Sequence, residues 1–253
     1  MSEYEASTYG ERIAEVFDRW YAGEDTEGAV EFLSALARGG DALELGVGTG
    51  RVAVPLAARG VRVHGIDASP AMIDKIRRKP GGEKVQVTLG DFGQVPVQGL
   101  FKLIYVVFNT FFALVTQEAQ VRCFQASAQH LRDDGVFVLE NFVPDLTRFD
   151  RGQRTDTISI SVDKVRIDAA IHDAVNQHCY LQHVLIEEKG VRLYPVQLRY
   201  VWPSELDLMA RLAGLELRNR YGGWKNERFT TASVRHVSVY GRPISQLPKS
   251  EPL

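Results

Sequence analysis

Two cysteines in 253 residues, Cys123 and Cys179, are too few and too far apart for a disulfide framework or a zinc site. Unpaired thiols at that frequency fit a reducing compartment. A charge excess is also missing. Thirty Lys and Arg stand against 32 Asp and Glu, so the net charge is −2 and no cationic surplus exists to release counterions from phosphates. Neither a nucleic acid nor an anionic membrane is therefore expected as a partner. No apolar run approaches the roughly 20 residues that span a bilayer. The N-terminus, Met-Ser-Glu-Tyr-Glu, is acidic and lacks an apolar signal segment, so a cytoplasmic location is expected. The six histidines include no His-x-x-x-His pair, no carboxylate set suits Mg²⁺, and no metal is expected. What is present is ordinary for a soluble chain with a sizeable core: 45% hydrophobic and 25% charged residues.

The informative stretch is Leu43-Glu44-Leu45-Gly46-Val47-Gly48-Thr49-Gly50-Arg51. An apolar strand end runs into a glycine-rich turn, and a helix-compatible segment follows. Such a turn lets a ligand approach the backbone and aims helix N–H groups at it. The next strand-like run, Val61 to Ile66, ends in Asp67, the position from which a carboxylate holds a nucleoside ribose. A third strand ends at Gly90-Asp91-Phe92. The spacing disfavours a dinucleotide fingerprint, because the third glycine falls at Gly50 and position 51 is Arg. It also lacks the Gly-Lys-Ser/Thr of a P-loop, since Gly50 is followed by Arg-Val.

Strand and helix patterns alternate through this region. Residues 11–38 read as two helices, with Ile13, Val16, Phe17 and Trp20 at helical spacing. Ser69-Pro70 reads as an N-cap and first turn, Leu103 to Phe108 as a buried strand, and residues 116–131 as a helix. A turn at Asp134-Gly135 and a buried strand at Val136 to Leu139 follow. From about Asp145 the pattern changes to strict alternation, as in Val196, Leu198, Tyr200 and Trp202, with a hairpin turn at Glu188-Lys189-Gly190. A last helix starts at Pro203 and stops at Gly214, and two closing strands follow. The expected fold class is α/β: a doubly wound Rossmann-like sheet with helices on both faces, plus an inserted antiparallel β-sheet lid. The expected division is N-terminal helices over 1–40, a Rossmann-like domain over 41–144 and 203–242, the β insertion over 145–202, and a disordered tail over 243–253.

The glycine motif and the acidic strand ends resemble the class I S-adenosylmethionine (SAM)-dependent methyltransferases, whose first motif reads Glu/Asp-x-Gly-x-Gly-x-Gly. The resemblance covers residues 9–142 with motif support and continues loosely to 241. Phe17-Asp18-Arg19-Trp20-Tyr21 resembles the Tyr-Asp-x-x-Tyr segment of small-molecule methyltransferases, including the aminosugar N-methyltransferases of macrolide biosynthesis; Phe17 replaces the first Tyr. The resemblance implies SAM as cofactor and S-adenosylhomocysteine as product. It implies cofactor contacts from Tyr21, Glu44, Gly46, Gly48, Gly50, Arg51, Asp67, Ala68, Met72, Asp91, Phe92 and Phe108. Glu44 would lie beside the sulfonium and amino end, Asp67 on the ribose, Met72 over one adenine face, and Asp91-Phe92 on the adenine edge. Tyr21 would lie over the methionyl end.

After the fourth strand the chain reads Phe108-Asn109-Thr110-Phe111-Phe112, not the Asn/Asp-Pro-Pro-Tyr/Phe of nucleic-acid N-methyltransferases. An apolar, aromatic strand end suits a small organic acceptor. Phe112, Asn141, Tyr200, Trp202 and Trp224 are the candidate acceptor contacts, with Tyr21 and Asn141 the candidate catalytic residues. His178 and His183, on the insertion, are further candidates for a general base. The expected activity is methyl transfer from SAM to an oxygen or nitrogen of a small metabolite, with natural-product biosynthesis as a setting and a homodimer through the insertion as an assembly. Two readings stay open beside it: a SAM-binding scaffold without methyl transfer, and a nicotinamide-dependent oxidoreductase, which the position of Gly50 disfavours.

Overall fold

A computed structural model describes residues 4–243. The expected tail over 243–253 lies, beyond Pro243, outside the described residues. The central sheet grows outward from β1 (Ala42–Leu45), a strand buried at every position, as a strand covered on both faces must be. It pairs in parallel with β2 (Val63–Asp67) and β4 (Phe101–Val106); β3 (Val85–Leu89) extends one side and β5 (Leu131–Phe142) the other. Two further strands close that edge antiparallel, β11 (Arg235–Gly241) against β5 and β10 (Glu216–Tyr221) against β11. The order β10-β11-β5-β4-β1-β2-β3 reverses direction between β1 and β4. Adjacent connections there leave to opposite faces and open a crevice at the carboxyl ends of the strands.

Each face carries its own core. Leu43, Leu45, Ile104, Phe137 and Leu139 meet α6 (Gln117–Gln129) and α7 (Pro203–Leu212) through Phe124, Leu206 and Met209. Ala42, Leu103, Tyr105 and Val138 meet α3 (Thr26–Ala37) and α4 (Ala53–Ala58) through Leu33, Ala37 and Leu56. Local signals fix several helix starts. Ser69 accepts from the Met72 N–H and Pro70 opens α5 (Pro70–Arg78); Thr116 accepts from the Ala119 N–H at the start of α6.

The insertion is a separate four-stranded antiparallel meander, β6 (Gln153–Ile160), β7 (Lys164–Asp173), β8 (His178–Glu187) and β9 (Gly190–Arg199). Glu188-Lys189 forms its tight turn, with Glu187 opposite Gly190. Because side chains alternate, the even positions of β7 and β9 share one face with the odd positions of β8. The N-terminal segment holds α1 (Thr8–Ile13) and α2 (Phe17–Trp20) before α3, where the helical spacing predicted one helix. No Gly or Pro marks the break. The segment is packed on two sides, against Met72 of α5 and against Leu185 and Tyr194 of the second sheet. β5 also begins earlier than expected, at Leu131, because a bulge opposite Phe101 and Leu103 carries Asp134-Gly135 within the strand. No helix among the described residues is long and apolar enough to cross a membrane.

A buried arginine joins the two sheets. Arg199, at the end of β9, is 6% exposed and donates to Gln120 of α6 at 2.5 Å, Gln177 at 2.7 Å and Glu205 of α7 at 2.8 Å. Burial alone would raise the Glu205 carboxyl, but hydrogen bonds from Gln177, Arg199 and Gln117 outweigh it and hold the pKa below its ordinary 4.5. A depressed carboxylate stabilises the fold above its unfolded pKa, and that stabilisation is lost as pH falls through the lower folded value. Arg199→Met should therefore destabilise by about 3 kcal/mol, since it strands the buried partners of a charge. Urea unfolding at pH 7 and pH 4 checks this, and the penalty of the variant should shrink at the lower pH.

Candidate active site

The glycine turn is shaped by backbone, not side chains. Gly46 and Gly48 have φ of +71° and +56°, where L residues are strained. A Cβ on Gly46 would lie 2.3 Å from Thr110 Cγ2, so close packing against the β4 loop excludes any side chain. A Cβ on Gly48 would meet nothing within 4 Å; its backbone is bare toward the crevice. Asp67, at the end of β2, accepts from the Gly48 N–H at 2.7 Å and the Ser69 N–H at 2.9 Å, with Ala68 completing the corner. Burial raises the Asp67 carboxyl, and these N–H groups oppose the shift.

Glu44 lies beneath the turn, 2% exposed, accepting from the Tyr105 hydroxyl at 2.9 Å. Burial pushes its carboxyl up to about 8, against the Tyr105 hydrogen bond and the Arg51 charge. Arg51 donates to Thr26 and lies over the Phe108 ring at 5.1 Å. Asp91, on the surface, accepts from the Gly93 N–H in its own turn, and Phe92 is packed into the core. Met72 is buried among Ile13, Phe17, Leu185 and Tyr194 and joins the core under the N-terminal helices, which cover the adenine-side position expected for it.

Three polar ties fasten that N-terminal cover. Thr49 of the turn donates to Asp18 at 2.5 Å, and Lys79 pairs with the same carboxylate at 2.8 Å. Arg51 holds Thr26, and Glu11 accepts from Ser69 Oγ at 2.7 Å and the Ala71 N–H at 3.0 Å. Tyr21 is thereby brought against Phe108, ring centroids 4.7 Å apart, with its hydroxyl 3.3 Å from that of Tyr9. Phe108 and Asn109 are consecutive non-glycine residues with φ of +57° and +63°. A bulky residue there is uncommon and needs outside support. Glu140 of β5 supplies it, accepting from the Phe108 N–H at 2.8 Å and from Trp224 Nε1 at 3.0 Å. Asn109 Oδ1 accepts from the Phe142 N–H at 2.6 Å.

Beyond Phe142 a cavity of about 270 Å³ opens between the segment after β5 and the inner face of the second sheet. Its walls include Phe149, Arg154, Asp168, His172, Leu181 and Tyr200. Phe149 stacks on His172 at 4.5 Å, and the Tyr200 hydroxyl is 2.9 Å from His172 Nε2. Asp168 and His183 face each other across β7 and β8, with Oδ1 and Nδ1 2.6 Å apart. Trp20 packs edge-on against His183 and Tyr194, and the Arg166 guanidinium lies 3.8 Å from its ring centre.

Of the acceptor contacts expected from sequence, the structure brings only Tyr200 to this cavity. Phe112 is fully buried against Phe142 and is a core residue. Asn141 is fully buried beside His236 of β11; its side-chain atoms have no hydrogen-bond partner among the described residues, and it lines no wall. Trp202 is 39% exposed at the cap of α7, outside the walls. Trp224 is packed against Phe32 and held by Glu140. Their alternation and aromatic character signal burial, and burial places most of them in packing. His178 is taken by the Val115 carbonyl at 2.8 Å. Asp168, His172, Phe149 and Glu140 carry no local sequence signal, because they converge only through hairpin register and the path after β5. Among the described residues no three His, Cys, Asp or Glu side chains are grouped to hold a metal ion.

This arrangement is that of a Rossmann-like α/β enzyme with an added antiparallel sheet, and its relatives share the fold. A methyltransferase domain model matches residues 42–135. The CcbJ methyltransferase from Streptomyces caelestis is 39% identical, with a TM-score of 0.89 over 94% of this chain and 99% of that one. The cypemycin N-terminal methyltransferase of a Streptomyces species is 28% identical over 201 residues, 79% of this chain and 82% of its own. The sugar N-methyltransferase KedS8 from Streptoalloteichus shares the fold, with a TM-score of 0.68 at 19% identity over 96% of this chain and 99% of that one. The chain belongs to the SAM-dependent methyltransferases. SAM is its cofactor, and the open space beside Gly48 and the strand-end carboxylate of Asp67 fit a nucleoside.

The two glycines should separate by their surroundings. Gly46→Ala should lose about 1–3 kcal/mol of stability, from a strained φ and a blocked Cβ. Gly48→Ala should fold with a smaller loss yet bind S-adenosylhomocysteine poorly. Urea midpoints and calorimetry on the two variants read the contrast.

Proposed function

We propose that the enzyme methylates the nitrogen of a small-molecule amine in natural-product biosynthesis, and that the acceptor occupies the cavity between β5 and the second sheet. The observation that carries this is the position of the cavity, which begins at Phe142, the residue tied to Asn109 at the end of β4. The relatives named for N-terminal and sugar N-methylation support nitrogen as the acceptor atom.

In this reading Asp67 and Ala68 hold the ribose and Gly46, Gly48 and Gly50 leave room for the methionyl end. Asp91 and Phe92 meet the adenine edge. Tyr21, Phe108 and Arg51 close the cleft on the sulfonium side, where aromatic faces favour a cation. When bound, SAM supplies an electrophilic methyl group on a sulfonium. The chain's own contribution is placement: the N-terminal cover excludes water and the second sheet fixes the acceptor, so orientation supplies much of the rate. An amine enters with its own lone pair once deprotonated, so no dedicated strong base is required. Residues 1–40 act as cover, 41–144 and 203–242 as the cofactor domain, and 145–202 as the acceptor wall. The free thiols of Cys123 and Cys179 support a cytoplasmic setting, and the net charge of −2 gives no support to a nucleic-acid partner.

The outer face of the second sheet supports a homodimer. Ile171, Tyr180, Ile186, Val191 and Leu193 are 41–62% exposed on one antiparallel surface. Exposed apolar side chains gathered on one sheet face suit an interaction site, and a second copy offers the self-complementary partner that two-fold symmetry needs. Light scattering should give twice the chain mass, and Leu193→Lys should yield monomers. A monomeric wild type would overturn this assembly.

Incubation with methyl-labelled SAM and a panel of small amines tests the activity. Labelled N-methyl products support it; tight cofactor binding with no product from any amine would favour the non-transferring scaffold. Tyr200→Phe, which removes the His172 hydrogen bond, should raise the acceptor KM several-fold and leave S-adenosylhomocysteine affinity unchanged, whereas Trp202→Ala should change neither.

A further inference from the structure

The second sheet carries an aspartate–histidine pair that no role above absorbs. Asp168 Oδ1 and His183 Nδ1 are 2.6 Å apart across β7 and β8, a short hydrogen-bonding distance. The two differ in surroundings. His183 is 5% exposed and packed behind Trp20, whereas Asp168 lines the cavity. Asp168 Oδ2 has no hydrogen-bond donor among the described residues. Arg166, the cation beside it, stacks on Trp20, and its Nε stays 3.7 Å from Asp168 Oδ1, beyond hydrogen-bond reach. Arg154, the cation on the adjacent strand, is paired with Asp156. Asp168 therefore lines the cavity with one carboxylate oxygen held by His183 and the other without a hydrogen-bond donor among the described residues.

The geometry points to Asp168 as the residue that binds the acceptor nitrogen, with His183 as the positioning residue that aims it. This rests on the amine-transferase reading above and deepens it by naming the specificity-determining group. A protonated amine docks its N–H on Asp168 Oδ2. To become a nucleophile it gives one proton to that oxygen, the electron pair of the broken N–H bond stays on nitrogen, and the proton leaves to solvent through the cavity mouth. An ether or ester oxygen at the same place has no N–H to offer and leaves the carboxylate unsatisfied, which is a strong basis for discrimination. His183 does not touch the acceptor. Its hydrogen bond restricts the Asp168 rotamer, and Trp20 in turn restricts His183.

Two probes of matched shape test this: 4-phenylpiperidine, whose ring nitrogen carries the proton, and 4-phenyltetrahydropyran, whose ring oxygen does not. Binding is measured by calorimetry on the full chain, with and without S-adenosylhomocysteine. Wild type should prefer the amine by roughly tenfold or more, as a charge-assisted hydrogen bond predicts. Asp168→Asn should remove the preference while leaving ether binding unchanged. His183→Phe should reduce the preference several-fold, and His183→Asn, which restores a hydrogen-bonding amide near the Nδ1 position, should recover it. A purely structural His183 would lower both probes together. Equal binding of the two probes by wild type, no binding of either at millimolar concentration, or a preference that survives in a folded Asp168→Asn variant would each overturn the assignment. Loss of S-adenosylhomocysteine binding in wild type would instead strike the transferase reading, since the amine preference is read separately from it.

Discussion

The Glu140 carboxylate is the contact on which both halves of the site depend. One oxygen takes the Phe108 N–H and the other the Trp224 indole, so β5 holds the end of β4 in a conformation that Phe108 and Asn109 would not adopt alone. Two consequences diverge from that corner. Phe108 is turned against Tyr21 and Arg51, which closes the cofactor side. Asn109 is turned toward Phe142, which fixes the chain where the acceptor cavity begins. A single buried carboxylate therefore couples the crevice at the glycine turn to the cavity beside the second sheet, and its loss would loosen both.

Glu140 belongs to a set. Glu44, Asp67 and Glu140 end three strands of one sheet, and burial raises the pKa of each. Burying carboxylates is costly unless they are paired or hydrogen-bonded, and these three are only partly compensated, by hydroxyl, indole and backbone N–H donors and by the Arg51 and Arg235 charges. Burial and these donors pull in opposite directions at all three, and burial wins.

Much of the cofactor side was legible in the sequence because it is local. Gly46 and Gly48 need positive φ, Ser69-Pro70 carries its own capping chemistry, and Asp67 closes a short strand; each signal lies within a few residues of what it shapes. The acceptor side was not, because it is made by register and by path. Asp168 meets His183 only once β7 and β8 are aligned, and the connection over 174–177 carries no two-residue turn signature to set that alignment. Asn141, Phe112 and Trp224 read as site residues for the reason that places them inside: they are large or polar groups at strand ends, and the sheet consumes them in packing. Gly10 shows the reverse case. It drew no attention, yet a Cβ there would lie 2.5 Å from Ser69 Cβ, so the N-terminal cover approaches α5 only because that residue is glycine.

The division between two sheets has a consequence for how such an enzyme changes its acceptor. The glycine turn and Asp67 lie on the parallel sheet, whose strands are packed on both faces. The proposed acceptor wall is the inner face of an antiparallel meander, where alternate positions point into the cavity and their neighbours point outward. Replacing Asp168, Ala170 or Leu181 alters the cavity without touching the glycine turn, provided that Arg199 keeps its hold on Gln120 and Glu205. The proposed acceptor site thus places specificity in a surface that can vary while a buried joint and a strained corner keep it aligned with the cofactor domain.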